Sequence, residues 1–242
     1  MLARTEDLFS LCEKYCTPRF SSFLDGGEIA VLEDNFITGG ADTMLWGGFE
    51  GAERRILGVF PEWSEPEAAE FPITALYIKN NGSRELSHRD FLGTLMSLGI
   101  DRSKTGDIVT DEGGAYIFLS SDIADYAAQN ITKIASCGVS VRRAEPDEIK
   151  NVSKKMQSME LVYASLRLDA LCAAAAGISR QAASRLISGG MVKLNHRPVT
   201  DGSKAVCEGD LLSLRGYGRF ILSRCGAMTR KGRIHITVNK FI

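Results

Sequence analysis

The chain has 242 residues, 44% of them apolar and 24% charged, with a formal charge of −1 at pH 7. That composition excludes a disordered chain, a collagen-like repeat and an integral membrane protein, and the length suits roughly one large domain or two to three small ones. The near-neutral charge is a cancellation: residues 1–149 hold 13 Lys and Arg against 25 Asp and Glu, a net −12, whereas residues 150–242 hold 16 against 5, a net +11.

The first residues, Met1 to Asp7, lack the basic start and apolar stretch of a signal peptide, and no run of about 18 apolar residues follows, so the chain is expected in the cytoplasm. Residues 5–16 predict a helix with Leu8, Leu11, Cys12 and Tyr15 on one stripe. Thr17-Pro18 reads as a second helix start, Leu24-Asp25-Gly26-Gly27 as its end, and Ile29 to Phe36 as a third short helix. Residues 1–70 are therefore expected to form a small, mainly helical region. The six cysteines, at 12, 16, 137, 172, 207 and 225, are scattered, which fits reduced thiols better than a disulfide framework. Cys12 and Cys16 lie one helical turn apart, but zinc needs four ligands and no matching Cys/His pair is evident, so no metal site is expected. Trp46 to Arg55 is glycine-rich and runs into a strand, Ile56 to Phe60. It lacks the Gly-Lys-Ser/Thr ending of a phosphate-binding loop, and a bulge or tight turn is the preferred reading. Pro61 to Pro72 is an acidic loop and a candidate boundary.

From residue 72 the pattern is regular. Ile73 to Ile78 is a strand, and Ser87-His88-Arg89-Asp90 opens a helix through Leu98 with Ser87 and Asp90 as a capping box. His88-Arg89-Asp90 copies a kinase tripeptide, but none of the accompanying kinase motifs is present. Gly106 to Val109 and Ala115 to Leu119 are strands joined by the Asp111–Gly114 turn. Asp122 is expected to cap a helix through Asn130, and Val139 to Arg143 is the last strand. The order β-α-β-β-α-β is the ferredoxin-like split motif, shared with RRM-like (RNA-recognition-motif) domains. Tyr116 and Phe118 alternate on the third strand, where such domains stack bases. The acidic surroundings favour a protein-contacting role here instead. This domain is placed at 71–157, with 146–158 as a polar linker.

The basic part begins with a short helix within Leu166–Ala176, its apolar side Leu168, Leu171, Cys172 and Ala175. Gly177 breaks it and Ser179 caps a second helix, in which Ala183, Leu186 and Ile187 face inward and Arg180, Gln181, Ser184 and Arg185 cluster outward. Met191 to Leu194 is a strand, Asn195 to Pro198 a turn, Glu208-Gly209-Asp210 another turn, and Leu211 to Leu214 a strand. Nucleic acid is the expected polyanion, because each neutralised phosphate releases counterions. A membrane surface would need an amphipathic helix with large apolar residues, which short Ala-rich helices do not supply.

Arg167-Leu168-Asp169, Ser179-Arg180, Gly190, Val192, Asn195 and Gly209-Asp210 appear in the order of the RNA-binding domain named after small-subunit ribosomal protein S-four. The stretch resembles that domain over about 60 residues, with His196 where glycine is usual. The resemblance implies that two helices and the adjoining strand present a basic face to structured RNA. The expected contacts are Arg180, Arg185 and Lys193, then Arg167, Gln181, Ser184, Asn195 and Lys204. Arginine suits this role because its planar fork binds phosphate bidentately.

Arg215-Gly216-Tyr217-Gly218-Arg219-Phe220 adds Arg215 and Arg219 as RNA candidates. Tyr217 and Phe220 suit base stacking and core packing equally. Thr229 to Arg233 is a basic turn before the alternating strand Ile234 to Val238. With the module at 158–242, the class is α+β in three parts.

Gly47-Gly48-Phe49-Glu50-Gly51-Ala52-Glu53-Arg54, the His88–Gly99 helix, Gly106-Asp107-Ile108, Asn130–Ile134 and Arg215–Phe220 together resemble the YlmH family of bacterial proteins. That resemblance implies a cytoplasmic RNA-binding protein associated with the large ribosomal subunit, acting in rescue of stalled nascent chains, with a link to cell division. The leading expectation is non-catalytic binding of ribosomal RNA or tRNA, with no cofactor and no catalytic residue. The alternative is an RNA-modifying enzyme that uses the basic module for targeting, and a third class is a factor whose acidic front recruits a protein partner.

Overall fold

The computed structural model describes residues 2–35, 43–163, 165–228 and 233–242. They group into two compact units, Met1–Ser153 and Lys154–Ile242.

The first unit begins with α1 (Leu2–Tyr15), β1 (Arg19–Phe20), α2 (Gly26–Asn35), β2 (Thr43–Trp46) and β3 (Ile56–Val59). The two helices supply most of the regular structure of this region, and the strands add an antiparallel sheet in the order β1-β3-β2 that the helical reading did not include. Thr17-Pro18 leads into a strand, because Arg19 and Phe20 pair with Val59 and Gly58. A local Thr-Pro signal cannot see that partner. Asp25 and the glycines after it start a helix rather than end one. The Asp25 carboxylate accepts hydrogen bonds from the Gly27 and Glu28 amides, and Glu28 accepts one from the Asp25 amide, a reciprocal cap. The expected extension of this helix to Phe36 lies outside the described residues.

The chain continues through β4 (Ile73–Asn80), α3 (His88–Ser97), β5 (Thr105–Thr110), β6 (Gly114–Ser120), α4 (Ser121–Asn130), β7 (Lys133–Ile134), β8 (Cys137–Arg143) and α5 (Pro146–Lys150). The sheet order is β5-β6-β4-β8-β7, with every pairing antiparallel. β7 is an addition to the expected β-α-β-β-α-β succession. At the start of α3, Asp90 accepts hydrogen bonds from the Ser87 amide and hydroxyl, which hold its carboxyl below the usual range. The α4 cap position is Ser120 rather than Asp122, which sits in the first turn and binds Lys104 at 2.6 Å.

Side chains alternate across the sheet. Leu76, Ile78, Ile117 and Leu119 bury one face against Phe91, Leu95 and Ala127. Ala75, Val109 and Phe118 on the other face are covered by Phe49, Ala52 and Val152. The rings of Phe49 and Phe118 stack at 4.7 Å. The 146–158 stretch is therefore not a linker: it forms α5, lays Ile149 and Val152 on this face, and from Met156 joins the second unit's sheet.

The glycine-rich turn ties the front region to the sheet. The Asp107 carboxylate, 8% exposed, accepts the Glu53 and Arg54 amides at 2.7 and 3.2 Å. The Arg54 guanidinium donates to the carbonyls of Thr105, Arg102 and Phe23. Gly48 is required as glycine: its φ is +98°, and a Cβ there would stand 2.5 Å from the Phe118 ring. The turn thus holds the protein's own carboxylate, and residues 1–70 are part of the first unit rather than a separate region.

The second unit contains β9 (Met156–Tyr163), α6 (Leu168–Ala175), α7 (Arg180–Ser188), β10 (Val192–Leu194), β11 (Arg197–Pro198), β12 (Leu211–Leu214), β13 (Gly218–Met228) and β14 (Ile234–Phe241). Its antiparallel sheet has the order β11-β10-β12-β13-β14-β9. The helices bury Leu168, Leu171, Cys172, Ala183 and Ile187 against Val192, Leu212, Phe220, Leu222 and Val238. The boundary expected between 157 and 158 falls inside β9, whose Met156 pairs with Phe241. The division therefore lies at Ser153/Lys154. Of the expected basic turn, residues 229–232 lie outside the described residues.

Charged hydrogen bonds to a buried group contribute about 1.5–3 kcal/mol each. Asp107→Ala should therefore lower the unfolding free energy of the first unit by about 3 kcal/mol, read as a shift of the urea midpoint.

Candidate nucleic-acid interface

The candidate interface is built on two short helices whose ends the sequence specifies. Gly177, at φ +66°, ends α6, and the Ser179 hydroxyl accepts the Ala182 amide at 3.2 Å to start α7. Burying Ala183 and Ile187 turns Arg180, Gln181, Ser184 and Arg185 outward, and all four are exposed.

Asp169 organises the near end of this surface. It is 9% exposed and accepts hydrogen bonds from Nε and Nη2 of Arg167, at 3.2 and 3.1 Å, and from Nη2 of Arg180 at 3.0 Å. Burial alone would raise the Asp169 carboxyl, but the bonds from the two arginines outweigh it and hold it below its ordinary range. The guanidiniums stay accessible, with side-chain exposures of 42% for Arg167 and 58% for Arg180. Each is pre-oriented, so less entropy is lost when its remaining N–H groups meet a ligand. Lys204 joins them, since its carbonyl accepts the Leu168 amide and its side chain is exposed.

The far end gathers Arg185, Lys193 and Arg215. Arg185 lies in the last turn of α7, and Lys193 points out of β10 between buried Val192 and Leu194. The Arg215 amide donates to the Met191 carbonyl at 3.0 Å. Its guanidinium lies 3.7 Å from the Met191 sulfur.

Two expected contacts are otherwise engaged. The Asn195 amide group donates to Asp210 at 2.7 Å and accepts the Leu211 amide at 2.8 Å, so it staples two turns together. The Arg219 guanidinium lies 4.7 Å over the Phe241 ring, half-buried. Asn195 and His196 take φ of +48° and +66°. The hairpin thus forms with His196 in the left-handed conformation that glycine usually supplies. Burial pushes the Cys172 thiol up to about 12, which fits a core residue.

In the first unit, Phe118 is fully buried and is no stacking platform. Tyr116 is half-buried beside Tyr77 at 4.8 Å, and Arg142 lies over Tyr77 while bound to Glu148. Among the described residues no group of three or more His, Cys, Asp or Glu is placed to hold a metal ion. No helix among them is long and apolar enough to cross a membrane. The sequence reading missed the structural role of Asp169. Its signal was present as an acidic residue inside an otherwise apolar helix face, two positions after an arginine.

Both units have counterparts among known proteins. Residues 66–148 match a family model described as "Putative RNA-binding domain in YlmH", and residues 166–212 match the S4 domain. The chain is 34% identical over 225 residues to "Ribosome-associated protein quality control protein P2" of Bacillus subtilis, covering 92% of this chain and 87% of that protein. The solved structure "Cell division protein ylmH from Streptococcus pneumoniae" is similar with a TM-score of 0.52 and 25% identity, covering 62% of this chain and 92% of that one.

A depressed carboxyl contributes stability above the unfolded pKa and loses it as pH falls through the folded one. Asp169→Asn should therefore be less stable than the parent protein at pH 7 by thermal unfolding. That gap should close as pH falls below about 4.

Proposed function

The chain belongs to the YlmH family, and we propose that it is a non-catalytic RNA-binding protein that works on the ribosome. Its RNA contact is made by the unit from residue 154 onward, on ribosomal RNA or tRNA of the large subunit. Its task is the quality control of stalled nascent chains, a reading supported by the name of the Bacillus subtilis relative. A link to cell division is supported by the name of the streptococcal structure.

The observation that carries the proposal is the set of accessible cations that runs from Arg167, just before α6, over Arg180 and Arg185 of α7 to Lys193 of β10, with its first two arginines pre-set by a buried carboxylate. Such a rigid surface suits a structured RNA. An A-form helix presents phosphates and shape rather than readable base edges in its deep groove. The acidic first unit suits a protein partner better, because Phe49, Ala52 and Val152 fill the sheet face on which related folds stack bases.

Arg185 and Lys193 are the contacts to test, since both are exposed and neither supports the fold as Arg180 does. Replacing both with alanine should weaken co-sedimentation with ribosomes at physiological salt. It should also reduce the slope of log affinity against log salt by about 1.5. Unchanged binding would overturn the assignment, and a protein-dependent mass change in RNA incubated with S-adenosylmethionine would overturn its non-catalytic part.

A further inference from the structure

Arg215–Phe220 carries two aromatic rings, and the fold treats them oppositely. Phe220 is 1% exposed and belongs to the core, whereas Tyr217 is 39% exposed. Of the other aromatic residues in this unit, Tyr163 packs against the core and Phe241 lies under Arg219. Among the described residues of the unit, Tyr217 is the one Phe, Tyr or Trp that is exposed.

The backbone presents this ring on a tight support. Tyr217 sits at the tip of the β12–β13 hairpin, where Leu214 pairs with Gly218 and the Tyr217 amide donates to the Leu214 carbonyl at 3.1 Å. Gly216 and Gly218, at φ +88° and +111°, flank it in conformations that L side chains rarely adopt. The tip is tied to the end of α7 through Arg215 to Met191 and Met191 to Leu186. Met191, itself 41% exposed, adds a soft apolar wall that touches Arg215. Lys193 lies one pair along the sheet, opposite Ser213. The acidic residues Glu208 and Asp210 precede Leu211, at the far end of β12 and roughly 10 Å away at about 3.3 Å per residue. This corner is therefore cationic, with one free aromatic face.

We propose that Tyr217, with Arg215 and Met191, is a binding site for an unpaired nucleobase of RNA. The ring stacks on the base and Arg215 holds an adjoining phosphate. The proposal rests on the RNA-binding reading of the same unit and adds to it a preference. Cations alone do not distinguish a continuous duplex from one with a bulged nucleotide, but a stacking ring does. Only an unpaired base leaves the stack at low cost.

The test uses the full chain and two blunt RNA duplexes annealed from separate strands, identical except for one unpaired nucleotide in the middle of one of them. Affinity is read by fluorescence anisotropy. Base–aromatic stacking contributes about 1–3 kcal/mol per base, so the parent protein should bind the bulged duplex about tenfold more tightly. Tyr217→Ala should bind both duplexes with the affinity of the parent for the paired one, and Tyr217→Phe should keep the preference. Equal binding of both duplexes by the parent, or a preference that survives Tyr217→Ala, would overturn this proposal and leave the RNA-binding reading standing. Failure of the parent to bind either duplex would remove that reading and the proposal together.

Discussion

A carboxylate taken out of water costs several kcal/mol unless its oxygens are met by donors, and in the second unit that requirement organises a surface. Asp169 sits where α6 begins, its own amide bonded to the Gly202 carbonyl. Its oxygens are met by Arg167, just before α6, and by Arg180, which opens α7. The same contacts that satisfy the buried charge lock the two helix starts together and aim two guanidiniums outward. The order Arg-Leu-Asp followed by Ser-Arg is thus a single structural device: the serine caps α7, and the two arginines divide the aspartate between them.

The first unit uses the same chemistry with the opposite result. Asp107 is also buried, but backbone amides of the glycine-rich turn meet it, and Arg54 points its fork at three carbonyls. There the cation is spent inside the fold. Phe49, carried by that turn, stacks on Phe118 and closes the sheet face. At these two carboxylates the units therefore differ in construction: Arg54 and the Phe49–Phe118 pair turn inward in the first, whereas Arg167 and Arg180 keep accessible guanidiniums in the second.

Much of this fold was legible locally. Ser87 with Asp90 marked α3, Ser179 marked α7, and the apolar spacing of Leu168, Leu171, Cys172 and Ala175 marked α6. Two strands that escaped notice, β1 and β9, have partners far away in the chain. β1 is a strand because β3 lies beside it, and β9 because β14 does. The scattered Ile149 and Val152 gain meaning only when Phe118 is beneath them. For the interface, the outward positions on α7 followed from helical spacing. The engagement of Asn195 with Asp210, and of Arg219 with Phe241, did not, because each depends on a strand that closes from elsewhere.

By itself the sequence determined the charge asymmetry, which is a plain sum over residues, and the caps of α3 and α7 and the glycine stop after α6, which depend on residues within a few positions of one another. The tertiary structure alone decided which of chemically identical groups remain available. Arg219 is held over Phe241 while Arg215 stays exposed, and Phe118 is covered while Tyr217 is not. A side chain carries the same charge or ring wherever it falls. Its freedom to meet a ligand is settled by segments that are distant in sequence and adjacent only after folding.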